Sequence, residues 1–275
     1  MFKDVAEPVY FKIDSFTVNT DYSEEGSDIH DISDAWVYVD DQLQGVYELP
    51  AKFPVIASEG SHDILITPGI KLNGIAATRF DYKVMTSYQT TANLSIGDTL
   101  TFNPEIEYRD NATFKWLEDF EQGGESWIKD DASDTTLITL SIDSLVFEGD
   151  AYGEIFLSDD MTFFEIQSNN DFFLPNSGTP VFLELNHRSI TTSDADANRL
   201  LAIGLVAYKS SAIVQTEPFI YLNSKDEWNK TYVNLTATIA DHQDAFLFKI
   251  YFGIAKEAGS GEVHTLLDNI KLVHL

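Results

Sequence analysis

The chain has 275 residues, 44% of them apolar, with 45 acidic against 17 basic side chains and a net charge of −28. That balance argues against a protein that tracks nucleic-acid phosphates, which needs a basic face, and against adsorption to anionic lipid. The absence of cysteine excludes disulfides, thiolate metal sites and a Cys nucleophile, and no apolar run approaches the roughly 18 residues of a membrane-spanning helix.

The first residues, "MFKDVAEPVYFKIDSF", lack the apolar stretch of a signal peptide. They fit either a cytoplasmic protein or one whose leader has been replaced at Met1. From there the chain is a succession of short apolar runs bounded by Gly, Pro, Asn, Asp and Ser. "VYFKIDSFTV", "AWVYVDD", "HDILITPG", "TRFDYKVM" and "DTLTFNP" read as strands, and Val37 and Val39 alternate with Tyr38 and Asp40. Strand-like content pauses at "NPEIEYRDNATFKWLEDFEQGGESW", which places a domain boundary near residue 115. "VFLELNH", "RLLAIGLVAY", "KTYVNLTATI" and "AFLFKIYFGIA" continue the strand pattern beyond it. Convincing helical periodicity is absent. Many short strands at a spacing of roughly ten residues predict an all-β protein. The expected plan is a small β-sandwich over 1–114 and a second sandwich over 115–275.

Two stretches carry resemblances. "AWVYVDDQLQGVYELPAKFPVI" followed by "EGSHDILITPGI", residues 35–70, resembles the small β-modules of the PEGA type, with Asp41 where that family has Gly. The likeness implies a spacer or wall-proximal unit without catalytic residues. Over 118–275, the opening "DFEQGGESW", the closing "LLDNIKL" and the order of phrases between them resemble the jelly rolls of carbohydrate-binding modules, the galactose-binding-like sandwiches. The pairing of a short β-module with such a jelly roll is similar to that of surface lipoproteins of Bacteroidetes. That resemblance implies a cell-envelope location, outer-membrane-anchored or periplasmic, with an N-terminal lipid anchor and a leader absent from this chain. It also implies a glycan or an envelope protein as partner, and a structural calcium ion held by Glu121 and Asp268.

The residues give Asp268 its own interest. Strict alternation would put it on one face with Ile270 and Leu272, pointing a carboxylate into the core. An unpaired inward carboxylate either takes up a proton or finds a cation. Lys and Arg are scarce, and calcium accepts 6–8 oxygen ligands. The alternatives are that Asp268 caps a loop amide or pairs with a nearby Lys, and that Glu121 is a surface residue before the Gly123–Gly124 turn.

Other constellations are weaker. Asp194, Asp196 and Asn198 begin like an EF-hand loop, but Arg199 and Leu205 break the pattern, which reads as a polar strand connection. Asp130, Asp131 and Asp134 read as an exposed turn. The six histidines, His30, His62, His187, His242, His264 and His274, show no zinc-type spacing. There is no G-x-S-x-G elbow and no E-x-D-x-x-E glycosidase strand, so no enzyme is expected. For sugar stacking the candidates are Tyr208, Tyr221 and Trp127, although Trp127 also reads as a packing residue, as does Trp228. Trp36 is expected in a core and Trp116 in interdomain packing. Two functions follow: a non-catalytic glycan-binding envelope protein, or a structural lipoprotein whose sandwich is a scaffold for protein partners.

Overall fold

A computed structural model describes residues 8–123, 126–191, 201–218 and 220–275. The chain divides between Ala112 and Thr113 into two compact units. Both are built from strands.

The first unit contains β1 (Val9–Ile13), β2 (Thr17–Asn19), β3 (Asp34–Val39), β4 (Gln42–Glu48), β5 (Ala51–Val55), β6 (Gly60–Lys71), β7 (Arg79–Asp81), β8 (Tyr88–Leu94), β9 (Thr99–Phe102) and β10 (Glu105–Glu107), with one helical turn, α1 (Tyr22–Glu25). β4, β3, β6, β7 and β8 form one sheet, β5, β1 and β9 a second, and β10 pairs with β2. Aromatic contacts knit the two larger sheets: Tyr47 of β4 stacks on Phe53 of β5 at 3.4 Å between ring centroids, and Tyr88 of β8 meets Phe102 of β9 edge-on at 6.5 Å. The hairpin of β3 and β4 turns at Asp40 and Asp41, both at positive φ, 48° and 61°. Aspartate tolerates this left-handed backbone better than bulky residues do.

The second unit contains β11 (Thr113–Glu118), β12 (Trp127–Lys129), β13 (Leu137–Leu140), β14 (Tyr152–Leu157), β15 (Phe163–Ser168), β16 (Val181–Thr191), β17 (Leu201–Lys209), β18 (Ile213–Gln215), β19 (Ile220–Leu222), β20 (Asn229–Asn234), β21 (Ala245–Ala255) and β22 (Val263–His274), with a short helix, α2 (Thr236–Ala240). The back sheet runs β13-β14-β22-β16-β20, with β11 also on β22. The front sheet runs β12-β15-β21-β17-β18, with β19 also on β17. The chain passes repeatedly from one sheet to the other, as a jelly roll requires.

Alternation decides what lies between the sheets. Ile155, Leu183, Leu185, Leu267 and Leu272 of the back sheet meet Phe164, Ile203, Leu205, Ile250 and Phe252 of the front sheet in one apolar cluster. Each fully buried side chain of this kind contributes about 1.5–3 kcal/mol of transfer free energy. Trp116 belongs to this cluster, with its ring 4.8 Å from Trp127 and 5.6 Å from Phe172. Its expected interdomain role is therefore corrected: β11 pairs with the terminal strand of the second unit and carries Trp116 into that unit's own core. Trp36 on β3 is half-buried.

Candidate functional site

The outer face of the front sheet forms a trough. Ile203 and Leu205 of β17 point into the core, so Ala202 and Gly204 point out. By the same alternation Tyr251 and Gly253 of β21, Glu165 of β15 and Tyr221 of β19 point out. The registers align them in one transverse row: Glu165 opposite Gly253, Gly253 opposite Ala202, and Ala202 opposite Tyr221. Three strand spacings of about 4.8 Å put roughly 14 Å between the backbones of the two walls. The floor is deep because its two residues have almost no side chain. The resulting cavity is about 730 Å³ and is also lined by Gln215 and Glu217.

Each wall is built from below. A Cβ at Gly204 would collide with the Tyr251 ring, so the missing side chain is what lets that ring lie over β17. Tyr251 then donates its hydroxyl to the Thr216 carbonyl at 2.8 Å and closes one end of the floor. Burial pushes its phenol up to about 12; Gln215 opposes this, while Glu165, Tyr221 and Glu217 add to it. Glu165 accepts from Gln215 Nε2 at 2.9 Å. Burial raises its carboxyl above the ordinary range, Gln215 pulls the other way, and the charge of Asp130 adds to the rise. Tyr221, in contrast, is 54% exposed. Its ring is the most exposed aromatic surface among the described lining residues, beside half-buried Phe163 and buried Tyr251.

The outer face of the back sheet holds Asp268, and here the alternation argument fails. β16 and β22 pair with Glu184 opposite Lys271 and Asn186 opposite Asp268, so two residues, Asn269 and Ile270, oppose Leu185 alone. This is a β-bulge, with Asn269 at φ 47°. The extra residue reverses the facing of everything before it. Leu267, Ile270 and Leu272 all enter the core, while Asp268 joins Glu184, Asn186 and Lys271 on the opposite face. The expectation that Asp268 shares a face with Ile270 and Leu272 is thus corrected.

The bulge sits where β22 changes neighbours. Gly153 of β14 pairs with Leu267, and Glu118 of β11 pairs with Ile270, leaving residues 268 and 269 in the gap. Residues 147–151 pass over that gap. Asp268 accepts the Asn269 amide at 2.8 Å and the Glu148 amide at 3.3 Å, and Asn269 Nδ2 donates to Glu148 Oε2 at 2.8 Å. Glu121 accepts the amides of Asp150 and Ala151 at 2.7 and 2.9 Å through Oε1. It reaches them across Gly149, whose φ of 70° and missing Cβ both matter: a side chain there would strike Glu121 Oε1. Burial pushes the Asp268 carboxyl up to about 7; the two amides oppose this, and the charges of Glu148 and Glu121 add to it. Asn186 Oδ1, opposite Asp268 in register, is buried and accepts no hydrogen bond among the described residues. Among those residues no group of three or more His, Cys, Asp or Glu side chains is arranged to hold a metal ion.

The remaining candidates fall elsewhere. Tyr208 shares the outer front face with Tyr221 but pairs with Leu247, six residues along β17 from Ala202, about 20 Å away. Trp127 packs against Trp116 at 4.8 Å and Phe252 at 5.1 Å and lines a second, 560 Å³ hollow away from the trough. Trp228 packs on Phe147 at 5.1 Å and donates to the Leu145 carbonyl at 3.3 Å. Asp130 and Asp134 cap turns: Asp130 accepts the Ala132 amide at 2.8 Å and Asp134 the amides of Thr162 and Phe163 at 2.8 and 3.0 Å. Asp194, Asp196, Asn198 and Met1 lie outside the described residues.

The fold also assembles a Ser–His–Asp contact that spacing did not reveal. His62 Nδ1 is 2.6 Å from Asp40 Oδ2, and Nε2 is 3.4 Å from Ser58 Oγ. Nε2 is nearer still, 3.0 Å, to the Ser58 carbonyl. A carboxylate on one side and a carbonyl on the other both call for N–H, which is the imidazolium form. The Asp40 hydrogen bond accordingly raises the His62 pKa. Asp40 also accepts the Asp63 amide at 3.0 Å through Oδ1, so the group staples the β3–β4 turn to β6.

The trough residues Glu165, Gln215, Glu217, Tyr251 and Gly253 were not identified by sequence reasoning. The available signal was Gly204 in "LLAIGLVAY" and Gly253 in "KIYFGIA": an isolated glycine inside a strand marks a place where something approaches the backbone closely.

No protein-family model matches the chain, and no curated protein matches it. Among solved structures it is similar to the CBM22-1 xylan-binding domain of Paenibacillus barcinonensis Xyn10C, with TM-score 0.41 and 10% identity over 59% of this chain and 95% of that one. A carbohydrate-binding module of the β-sandwich superfamily, described for promiscuous specificity, gives TM-score 0.40 and 12% identity over 88% of this chain and 85% of that one. The enzymatically active domain of tailspike protein 4 of bacteriophage CBA120 gives TM-score 0.38 and 8% identity over 57% of this chain, which spans only 20% of that protein's length. Scores and identities this low carry no argument about function.

Proposed function

We propose that the second unit is a non-catalytic glycan-binding module and that its ligand lies in the trough between Glu165 and Tyr221. The observation that carries this reading is the row Glu165–Gly253–Ala202–Tyr221: an exposed aromatic ring on one side, a half-buried carboxylate on the other and a floor of small residues between. Sugars offer an apolar ring face and a fringe of hydroxyls, which suit an aromatic platform and fixed polar groups respectively. A purely structural sandwich would have a filled outer face, and the trough favours binding over that alternative. Location in the cell envelope and a lipid anchor belong to the same proposal and rest on the sequence resemblance.

The test is calorimetric titration of the full chain with a panel of neutral oligosaccharides, run beside Tyr221→Ala and Gly253→Leu. A Cβ at Gly253 would meet only the Phe164 carbonyl at 3.5 Å and Glu165 Oε2 at 3.8 Å, so a larger residue fills the trough without backbone collision. Binding that both variants weaken supports the reading. Sugar binding untouched by either variant, or no sugar bound at all, removes it. Release of new reducing ends during the titration would instead indicate a glycosidase.

Calcium is proposed as a structural ion at Asp268. The fit rests on a buried carboxylate whose hydrogen bonds come from two backbone amides and on the unpartnered Oδ1 of Asn186 beside it. Asp268, Glu121 and Asn186 are the side chains that would hold it. A bound cation would supply the charge that protein groups do not and tie the first and last strands together.

A further inference from the structure

The trough has a charge character that its shape alone does not require. Glu165 and Glu217 line it, Asp130 acts on Glu165 from the turn after β12, and no Lys or Arg is among the described lining residues. Glu165 is also partly removed from water. A hydroxyl donor satisfies one oxygen but leaves the charge uncompensated, whereas an ammonium both donates and neutralises. The net charge of −28 steers cations toward the same surface. A uronate or sulfate in this position would meet two carboxylates with no counter-charge.

Resting on the trough reading above, we infer that the ligand class is an amino sugar with a free, protonated amine, bound with that amine against Glu165 and its ring against Tyr221, and that uronic and sulfated sugars are excluded. The amine enters from the Glu165 wall, because Gln215 holds that carboxylate in place from the β18 side. Tyr221 stands opposite across the two-residue floor and receives the ring face.

The experiment is titration of the full chain with three oligosaccharides of equal length: de-N-acetylated glucosamine, N-acetylglucosamine and galacturonate, in buffer acid enough to protonate the amine. Replacing a neutral by a charge-assisted hydrogen bond predicts about tenfold tighter binding of the amine form than of its acetylated match, with no binding of the uronate. Glu165→Gln removes the tenfold preference for the amine form over its acetylated match. Equal or tighter binding of the acetylated or uronate sugar overturns the inference and leaves the trough reading intact. Gly253→Leu keeps every charge and fills the trough. If it still binds the amine sugar, the contact is adsorption to an acidic surface, and the inference falls. If no sugar binds the unaltered chain, the trough reading falls with it.

Discussion

Glu165 on the front sheet and Asp268 on the back sheet both point away from the shared apolar core. Glu165 stands at the wall of an open trough, while Asp268 lies under residues 147–151 with 1% exposure. The difference is one of cover. On the front sheet small residues at 202 and 253 leave space above the strands, so a ligand can reach the carboxylate. On the back sheet the outer face is closed, and its polar groups must be satisfied from within. Lys230 meets Glu184 at 2.9 Å, with side-chain exposures of 3% and 0%. Asp268 has amides and a neighbouring excess of negative charge, and its proton affinity rises accordingly. An outward-facing charge is therefore within reach of a ligand where the face is open and in need of a protein partner where it is closed.

The closed face should break most easily. Lys230→Ala removes the ammonium 2.9 Å from buried Glu184, and urea unfolding should show a loss of about 3–5 kcal/mol. A small loss would mean that water reaches Glu184 and that the face is not closed.

Asp268 sharpens the comparison through pH. Its folded-state value, about 7, lies above the unfolded carboxylate value, so folding takes up a proton between the two. This contribution is complete at low pH and is lost as pH rises through 7 in the metal-free protein. At 1.36 kcal/mol per pH unit it amounts to roughly 4 kcal/mol at most. Asp268→Asn should flatten that decline in chelator-treated protein and abolish any rise in Tm on adding calcium. A decline with the same slope in the variant would place its cause elsewhere.

Smaller effects test the open face. Gly204→Ala pushes a methyl group into the Tyr251 ring and should cost about 1–3 kcal/mol of stability. It should weaken ligand binding as well, since the ring closes the trough floor. Tyr221→Ala should leave Tm unchanged and weaken sugar binding by about 1 kcal/mol. A Tm drop for Tyr221→Ala would show the ring packing against protein and not waiting for a ligand.

Much of this was legible before the structure. Alternating runs such as "AWVYV" and "VFLEL" predict strands, because one side of a half-buried strand must be apolar. The shift to charged and glycine-rich sequence near residue 115 lies close to the Ala112–Thr113 division. Asp268 stood out as a carboxylate in an apolar run, and the structure gives it the raised pKa of a buried, under-compensated acid. Its facing was not legible. One bulge residue, Asn269, reverses the alternation, and a bulge leaves no mark on hydrophobic periodicity. Trp116 was misplaced for a similar reason: its strand stands at the boundary, and only pairing with β22 decides which core it enters.

By itself the sequence determined the kind of element, because side-chain period and turn residues act over a few neighbours. It also determined the acidity of the surface, which is a sum over residues. Only the tertiary structure decided the trough. Glu165, Ala202, Tyr221 and Gly253 come from four strands, and nothing local relates them until the sheet register sets them in one row. The same holds for Glu121 and Asp268, which both accept amides from residues 148–151, passing where β22 exchanges β14 for β11 at its bulge. Pairing between distant strands is a non-local choice, settled by the burial of the whole core at once.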